Sequence, residues 1–396
     1  MKIASILFIL ALGILSACEN TEQAIAPQQN CVAPGINPTH PLAGRLQMLI
    51  DSFVAEGIPG AVVAVKDSRG VWAGASGLSK LEDQTPMQTC QVQHAYSASK
   101  TFIAVATLRL AERGLLKLDD PIANYLPTSI ANRLTQAKGV TVRMLLNQTS
   151  GYREFHEDLK RLSDLLNRPT RPWSREELLE YVIGKPLLFQ PGTDWAYANT
   201  NYLLLSYVLE KASGKDHAEV IKAEILEPLQ LKNTYYKLQS GYPDKLSLPN
   251  HYWDRYANGG LENCTQTNLN IAAYSGYGED GIIASPLDLV TFMDALANGK
   301  LLNAQSWKEM TSWVQGKQST EPDYGLGLVW VNFGGGQPEF GHYGGGIGGQ
   351  CSLIYLPQQK ITVFTSTNVG REGGGRFAFL SSVLVNRVPE ALAKLP

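Results

Sequence analysis

Residues 97–100 are Ser-Ala-Ser-Lys, and residues 101–110 continue as Thr-Phe-Ile-Ala-Val-Ala-Thr-Leu-Arg-Leu. The apolar residues of the second stretch recur in the pattern of a buried helix, so the tetrad is predicted to open a helix. Side chains three residues apart on a helix share one face, with their roots about 5 to 6 Å apart. An uncharged Lys100, shielded from water, can therefore accept the Ser97 proton and turn the hydroxyl into a nucleophile without a histidine base.

Length and composition indicate a folded body large enough for an enzyme. The chain has 396 residues, 44% of them hydrophobic, which suffices for one large domain or two closely packed lobes. Its 34 basic and 36 acidic residues nearly balance and form no basic block, so nucleic acid is not expected as a partner. We expect a small molecule or a peptide as the substrate. The sequence does not indicate the oligomeric state.

The N-terminus predicts export and a lipid anchor. Lys2 precedes a short apolar stretch, residues 3–15, which has the form of a secretory signal and is too short to cross a bilayer by itself. Leu15-Ser16-Ala17-Cys18 resembles the lipobox of bacterial lipoproteins, in which the cysteine is acylated and becomes the mature N-terminus. Residues 1–17 are therefore predicted to be a cleaved signal peptide, and residues 18–40 a lipidated N-terminus and flexible polar tether. The alternative is an ordinary secretory signal with an incidental cysteine.

These features predict a periplasm-facing lipoprotein of the bacterial cell envelope, in contact with the membrane through its lipid alone. Glu19 follows Cys18, which favours the outer membrane in an organism that has one. The other cysteines are even in number and permit two disulfides in an oxidising compartment, in any of three connectivities. Their spacing fits no zinc site. These cysteines are Cys31, Cys90, Cys264 and Cys351.

The body, residues 41–390, has strand-rich ends and a helical middle. Residues 61–65 and 71–75 flank a turn and predict a hairpin, and three late segments are rich in Val, Ile, Phe and Tyr and predict strands. Residues 119–275 have the pattern of short helices broken by proline and glycine. We expect both sets of strands to share one antiparallel sheet, with the helical lobe inserted between them. The late strands are predicted at 326–332, 351–356 and 361–366, and helices at 45–56, 142–146, 175–183, 201–212 and 376–385.

Two further motifs carry groups suited to acyl transfer. Tyr197-Ala198-Asn199 follows a Pro-Gly turn and precedes an apolar helix, a context in which a tyrosine can transfer protons and an amide can bind a substrate. The triplet recurs at residues 256–258, but that copy runs into two glycines and is interpreted as a turn. The third motif is Gly341-His342-Tyr343-Gly344-Gly345-Gly346, whose glycines allow backbone to approach a ligand closely. Residues 344–349 also match G-x-G-x-x-G, but a strand rather than a helix follows, so dinucleotide binding is not predicted.

In this order, Ser-x-x-Lys, Tyr-x-Asn and His-x-Gly resemble the motifs of the penicillin-recognising serine hydrolases: class C β-lactamases, D-alanyl-D-alanine carboxypeptidases and related esterases. Residues 145–151, Leu-Leu-Asn-Gln-Thr-Ser-Gly, resemble the family's Leu-Leu-x-His-Thr-Ser-Gly, with Gln148 in place of the usual His. Asp119-Asp120-Pro121 and Tyr324-Gly325-Leu326-Gly327 are further family-like stretches. The resemblance implies an α/β (α+β) fold of the β-lactamase/DD-peptidase type, an antiparallel sheet flanked by helices with an inserted, mostly helical lobe.

The resemblance also implies an acyl-enzyme mechanism. Ser97 is implied to attack a carbonyl carbon, and Lys100 and Tyr197 to share the proton transfers, with the identity of the base in acylation left open. Asn199 is implied to contact the substrate amide, and the backbone N–H groups of Ser97 and Gly345 to form the oxyanion hole. No metal or organic cofactor is implied.

The third motif departs from the family pattern. His342 stands where β-lactamases carry the Lys of Lys-Thr-Gly, and it is implied to act in catalysis by setting the local field. Tyr343 occupies the place of a Thr or Ser that helps bind a substrate carboxylate, and with Gly344 and Gly345 it is predicted to line the substrate site. Both departures argue against an efficient β-lactamase, and Tyr343 also argues against recognition of D-Ala-D-Ala.

We therefore predict a serine hydrolase acting on amide or ester bonds, nearest to D-alanyl-D-alanine carboxypeptidases and class C β-lactamases. A carboxylesterase on neutral esters is the first alternative, and a non-catalytic penicillin-binding-like sensor is the second. Glu279 and Asp280 lie between glycines and are interpreted as part of a solvated loop.

Overall fold

The computed structural model describes residues 35–168, 171–236, 247–270, 276–334 and 337–395, and the predicted signal peptide, Cys18 and Cys31 lie outside them. At its centre is a seven-stranded sheet in the order β3-β2-β1-β12-β11-β10-β9. Two smaller sheets have the orders β4-β8-β5 and β6-β7. The strands are β1 (Gly60–Asp67), β2 (Gly70–Lys80), β3 (Thr85–Pro86), β4 (Gln93–His94), β5 (Thr234–Tyr236), β6 (Tyr252–Trp253), β7 (Glu262–Asn263), β8 (Ile282–Ala284), β9 (Val329–Val331), β10 (Glu339–Gly346), β11 (Gly349–Leu356) and β12 (Ile361–Thr367).

The central sheet joins the two ends of the body, as the sequence predicts. β1 and β2 form the predicted hairpin, with Asp67 opposite Gly70. β1 pairs antiparallel with β12, from Ala61 opposite Thr367 onward. Because side chains alternate across a strand, Val63 contributes to the apolar cluster on one face and its neighbour Ala64 to the cluster on the other. The antiparallel sheet flanked by helices is therefore confirmed.

Helices cover both faces of this sheet. The first and last helices contribute to the cluster that contains Val63, while α2, α7 and α11 contribute to the larger cluster that contains Ala64. Within the part of the chain that the structure describes, no helix is both long and apolar enough to cross a membrane. The helices are α1 (Ala43–Ala55), α2 (Ser99–Glu112), α3 (Thr128–Ala131), α4 (Val142–Leu146), α5 (Leu159–Asn167), α6 (Arg175–Leu179), α7 (Asn199–Ser213), α8 (His217–Ile221), α9 (Glu227–Leu229), α10 (Thr265–Asn270), α11 (Pro286–Ala297), α12 (Ala304–Met310) and α13 (Gly375–Ala393).

Residues just before the predicted start of the body, residue 41, contact the central sheet. Residues 36–40, which the sequence assigns to the tether, lie against β2, where the Asn37 backbone N–H donates to the Val71 carbonyl at 2.7 Å. His40 is buried, and its Nε2 lies 3.1 Å from an Asp67 carboxylate oxygen. Asn37 is therefore linked to the β1–β2 hairpin by a backbone hydrogen bond, and His40 by a contact between side chains.

The cysteines differ from the arrangement with two disulfides. Cys264 and Cys351 are buried free thiols. Their sulfur atoms face backbone carbonyls instead, at 3.4 Å from His251 O and 3.1 Å from Ala95 O respectively. Cys90 is disulfide-bonded. Burial in apolar surroundings raises the pKa of Cys264 to about 12, so this thiol is chemically inert in the folded chain.

Candidate active site

Ser97 lies in a tight turn that leads directly into α2. Residues Tyr96–Ala98 form a 3-10 turn, and α2 begins at Ser99, so the nucleophile precedes the α-helix proper. Tyr96 has a φ of +45°, a left-handed conformation that is costly for a side chain of this size. A bend that sharp needs support from its surroundings, and it places the Ser97 hydroxyl in a cavity of about 710 Å³.

Lys100 is fully buried beside Ser97 and makes three polar contacts. Its Nζ lies 3.0 Å from Ser97 Oγ, 2.6 Å from Asn199 Oδ1 and 2.7 Å from the Glu279 carbonyl oxygen. The amine also sits 5.0 Å from the centre of the Tyr197 ring. The structure thus brings the Ser-x-x-Lys and Tyr-x-Asn motifs to one point.

Gln148 holds the Tyr-x-Asn segment in place. Its side-chain carbonyl accepts from the Ala198 backbone N–H at 3.1 Å and from Asn201 Nδ2 at 2.5 Å. Its backbone carbonyl accepts from the Ala196 N–H at 3.2 Å. These three bonds surround Tyr197 in sequence, so the residue that replaces the family's usual His fixes the loop on which Tyr197 stands.

Glu154 contacts the other end of this segment. Its carboxylate accepts from the backbone N–H of Asn199 and, at 2.9 Å, from that of His156. Burial is the main influence on Glu154 and raises its pKa. The sequence pattern gave no signal for this residue, since its role depends on a contact with the first turn of α7.

His342 is a neutral residue in the structure. Its Nδ1 donates to the Tyr343 carbonyl at 2.5 Å, and its Nε2 faces the Tyr324 hydroxyl at 2.7 Å, which is therefore the donor. Burial is the main cause that lowers the pKa of His342, to about 3. The imidazole therefore carries no charge at neutral pH, unlike the lysine it stands in for.

Tyr343, the other unusual residue of the third motif, also stays uncharged. It lines the cavity and packs partly against the cluster between the sheet and α13. Burial is the main cause that raises the pKa of its phenol, and Glu339 adds to this. Tyr343 therefore offers a neutral hydroxyl and an aromatic surface.

The glycines of the third motif form strand β10 and let it approach the nucleophile turn. The sequence predicts a strand only after Gly349, whereas the structure pairs Gly344 with Cys351 and Gly345 with Gln350. A Cβ atom on Gly344 would lie 2.5 Å from the Ala95 carbonyl oxygen, next to the turn that carries Ser97. Only glycine permits this contact, which brings the Gly345 backbone to the side of the cavity.

Glu279 and Asp280 are not solvated, and the sequence interpretation of them is wrong. Both are buried and line the cavity. The segment turns inward at Gly278, which has a φ of +104°. A Cβ atom at this position would lie 2.3 Å from the Tyr202 carbonyl oxygen, so glycine is required there. The glycines on both sides of the two acids were the available signal, since glycines at positive φ occur in buried turns as well as in surface turns.

All residues of the three motifs that were predicted to bind or react line the cavity, except Lys100, which is buried next to Ser97. The second Tyr-Ala-Asn copy lies elsewhere, and its Tyr256 is exposed. The cavity is lined by Ser97, Glu154, His156, Glu157, Arg161, Leu162, Leu165, Leu166, Tyr197, Asn199, Trp253, Glu279, Asp280, Val329, His342, Tyr343, Gly344, Gly345, Ile347, Arg371, Glu372 and Gly373.

One cluster among the described residues has the spacing of a metal site, and hydrogen bonds of His217 connect it. Glu210, Asp216 and His217 place one ligand atom each within 4.8 Å of one another. The His217 nitrogens already face Glu210 Oε1 at 2.6 Å and the Gly276 carbonyl at 3.3 Å. The cluster is therefore held together by the hydrogen bonds of His217 with Glu210 and Gly276.

Comparison with known proteins agrees with this geometry. The family model for Beta-lactamase matches residues 46–379, so the chain belongs to the β-lactamase family. It is similar to penicillin-binding protein 4* of Bacillus subtilis, with 26% identity over 332 residues, 78% of this chain and 67% of that protein. It is also similar to esterase EstB of Burkholderia gladioli, with 29% identity over 221 residues, 53% of this chain and 55% of that protein. The chain thus spans between about half and two thirds of these relatives.

A solved structure extends the comparison to nearly the whole body. A D-stereospecific amidohydrolase from Streptomyces sp. superposes with a TM-score of 0.72 at 28% identity, covering 86% of this chain and 97% of that one. The family and fold predicted from the motifs are therefore confirmed. The protein is a serine hydrolase of the β-lactamase family that acts on amide or ester bonds.

Proposed function

We propose that the protein hydrolyses neutral esters and amides through an acyl-Ser97 intermediate, with Lys100 as the base. The observation that supports this is the set of contacts at Lys100. A neutral amine has two N–H donors and one lone pair. Asn199 Oδ1 and the Glu279 carbonyl can only accept and so take the two N–H groups, which directs the lone pair to Ser97 Oγ at 3.0 Å.

The reaction begins when Ser97 Oγ bonds to the carbonyl carbon while its proton passes to Lys100 Nζ. The oxyanion is stabilised by the backbone N–H groups of Ser97 and Gly345. The bond to the leaving group then breaks, and the proton reaches the leaving oxygen or nitrogen through the Tyr197 hydroxyl. Water resolves the acyl-enzyme by the same steps in reverse, which regenerates the Ser97 hydroxyl.

The third motif supports neutral substrates. A carboxylate placed beside β10 meets an uncharged His342 and an uncharged Tyr343. Burial lowers the pKa of His342 and raises the pKa of Tyr343, and both shifts favour the neutral forms. Burial of a carboxylate against these two uncharged residues, which cannot pair with it, is strongly unfavourable. An ester or amide without an acidic group at that position meets no such penalty.

The test is exposure of the whole chain to a fluorophosphonate and to a fluorescent penicillin, followed by mass spectrometry of the peptide that contains Ser97. We expect the fluorophosphonate adduct on Ser97 and hydrolysis of p-nitrophenyl acetate, with little turnover of a cephalosporin. The Ser97→Ala variant is the matched control and should give neither adduct nor turnover. Absence of any adduct on the wild-type protein would refute the proposal and favour the sensor.

D-alanyl-D-alanine carboxypeptidase activity is the second candidate, and Arg371 is the observation that favours it. An ideal Cβ on Gly345 would lie 3.6 Å from Arg371 Nε, so a guanidinium stands beside the strand that forms the oxyanion hole. Such a group can pair with a substrate carboxylate. Release of D-alanine from a peptide ending in D-Ala-D-Ala, lost in Arg371→Ala, would select this function over the esterase.

We also propose that the protein is a lipoprotein of the cell envelope, acylated at Cys18. The lipobox-like sequence supports this, and the disulfide at Cys90 fits an oxidising compartment. Expression of wild type and Cys18→Ser in a bacterium, followed by detergent phase partitioning, tests the proposal. Wild type should enter the detergent phase and the variant the aqueous phase; equal partitioning of both would refute lipidation at Cys18.

A further inference from the structure

A partly uncovered apolar helix face lies beside the nucleophile. Leu162, Leu165 and Leu166 of α5 line the same cavity as Ser97. Leu165 packs against the main core, but Leu162 is 46% exposed and Leu166 47% exposed. Ligand cavities are lined mainly by apolar side chains that the ligand covers. Two half-exposed leucines on one wall of a reactive cavity are therefore suited to contact an apolar part of the substrate.

The orientation of α5 is set by groups other than Leu162 and Leu166. Asp158 caps the helix by accepting from the Arg161 backbone N–H at 3.1 Å. The Asp164 carboxylate accepts from the Tyr181 hydroxyl at 2.7 Å. The buried Arg161 guanidinium sits 5.2 Å from the centre of the Trp173 ring. Because these contacts fix the polar side of α5, the leucines face the cavity without packing requirements of their own at positions 162 and 166.

Other elements extend the apolar lining of the cavity. Val329 from β9, Trp253 from β6 and Ile347 after β10 contribute to it. The volume of about 710 Å³ is within the range of cavities that enclose a small organic ligand. The space is therefore larger than an acetyl group requires, and much of its wall is hydrocarbon.

We infer that the leucine face of α5, formed by Leu162, Leu165 and Leu166, is a subsite for an apolar alkyl or aryl substituent of the substrate. The inference rests on the proposed function, because it needs Ser97 to be the nucleophile. The substituent belongs either to the acyl group or to the leaving group. Full burial of a methylene corresponds to about a fourfold rise in kcat/KM. Because the leucines are only half exposed, we count half of that free energy, so kcat/KM should rise about twofold for each added methylene.

The experiment uses two homologous series on the full chain. One series is p-nitrophenyl esters from acetyl to octanoyl, and the other is acetyl esters of alcohols from ethyl to octyl. The test variant is Leu162→Ser with Leu166→Ser, whose side chains are exposed enough to be replaced without opening the core. The matched control is Leu159→Ser, on the same helix, 82% exposed and outside the cavity lining.

We expect the wild-type ratio of kcat/KM between the longest and shortest substrate of one series to be on the order of 50-fold. It should fall below about fivefold in the double variant and stay within about twofold of wild type in Leu159→Ser. The series that shows the dependence identifies which half of the substrate the leucines contact.

The inference is overturned if wild type shows no dependence on length in either series. It is also overturned if the double variant keeps the wild-type ratio, or if Leu159→Ser loses it equally. Failure of the proposed function looks different: no ester of any length is hydrolysed and the fluorophosphonate leaves Ser97 unmodified. That outcome overturns both proposals, whereas hydrolysis of acetyl esters without a length dependence overturns only the subsite.

Discussion

Replacement of Gly344 by Ala tests whether the close approach of β10 to the nucleophile turn is required for turnover. The added Cβ would lie 2.5 Å from the Ala95 carbonyl oxygen and 2.7 Å from Tyr96 Cβ. Neither neighbour is the flexible end of a side chain, so strand and turn must separate by about 0.5 Å, the gap between 2.5 Å and the 3.0 Å below which real Cβ contacts hardly occur. This moves the Gly345 N–H away from its partner at Ser97. Loss of one oxyanion donor costs about 2.7 to 4 kcal/mol, a fall in kcat of about 10² to 10³.

Gly345→Ala is the matched control on the next residue. Its Cβ would meet only the side chains of Gln350, at 3.3 Å, and Arg371, at 3.6 Å. Both can move by a few tenths of an ångström, and alanine keeps the backbone N–H that stabilises the oxyanion. We therefore expect kcat to stay within about threefold of wild type, since no transition-state contact is lost.

The assay is kcat for p-nitrophenyl acetate and the rate of Ser97 labelling by a fluorophosphonate, with the folded fraction determined from thermal unfolding. A folded Gly344→Ala variant that turns over at near the wild-type rate would contradict the reasoning. So would a Gly345→Ala variant that is impaired as severely, because the loss would then not depend on the contact with Ala95.

Three further predictions follow from the site. Lys100→Ala should lower the rate of Ser97 acylation by about 10² to 10⁴, measured by stopped-flow ester hydrolysis, because general-base catalysis contributes that much; an unchanged rate would exclude Lys100 as the base. Gln148→Ala removes two hydrogen bonds beside the Tyr-x-Asn segment and should lower kcat more than it raises KM, with partial recovery in Gln148→His if a ring nitrogen replaces one acceptor. For His342, the folded pKa of about 3 lies below its ordinary value of 6.5. Between these pH values the unfolded chain binds one proton more than the folded chain, so the free energy of unfolding falls as pH drops from 6.5 toward 3. His342→Gln should reduce the pH slope near pH 5 by about 1.4 kcal/mol per pH unit in urea titrations, and an unaltered slope would show that His342 is charged in the fold.

Local patterns were sufficient for the hairpin β1–β2, for β11 and β12, and for the first motif. The continuous apolar run 61–65 beside a turn predicted β1, and its side chains enter the clusters on both faces of the sheet. The spacing of Ser97 and Lys100 predicted their contact, since three residues along a turn bring side chains to one face even where the turn is 3-10 rather than α. Such features depend on a few consecutive residues and are therefore visible in the sequence.

Contacts between distant segments could not be predicted in the same way. Strand β10 was not predicted because its glycines are not typical of strands. They are required because Gly344 lies close to the Ala95 carbonyl. Glu279 appeared to belong to a surface loop, yet its carbonyl accepts from Lys100 at 2.7 Å. Helix 175–183 ends earlier than its apolar pattern, at Leu179, and strand 326–332 shortens to Val329–Val331 because Gly327 takes a φ of +79°. In each case, tertiary contacts or backbone angles decide the outcome.

The two observations on substrate choice come from separate parts of the chain and favour the same class of molecule. A carboxylate-bearing substrate would depend on Arg371, whose side chain is 62% exposed and lies 3.5 Å from Glu372. Ion pairs in such an exposed position contribute about 0 to 1 kcal/mol. An apolar substituent against the half-exposed Leu162 and Leu166 gains about 0.4 kcal/mol for each methylene, half the value for full burial, so three or four methylenes exceed the ion pair. These magnitudes favour the proposed substrates, neutral and apolar esters or amides, over molecules that carry a carboxylate.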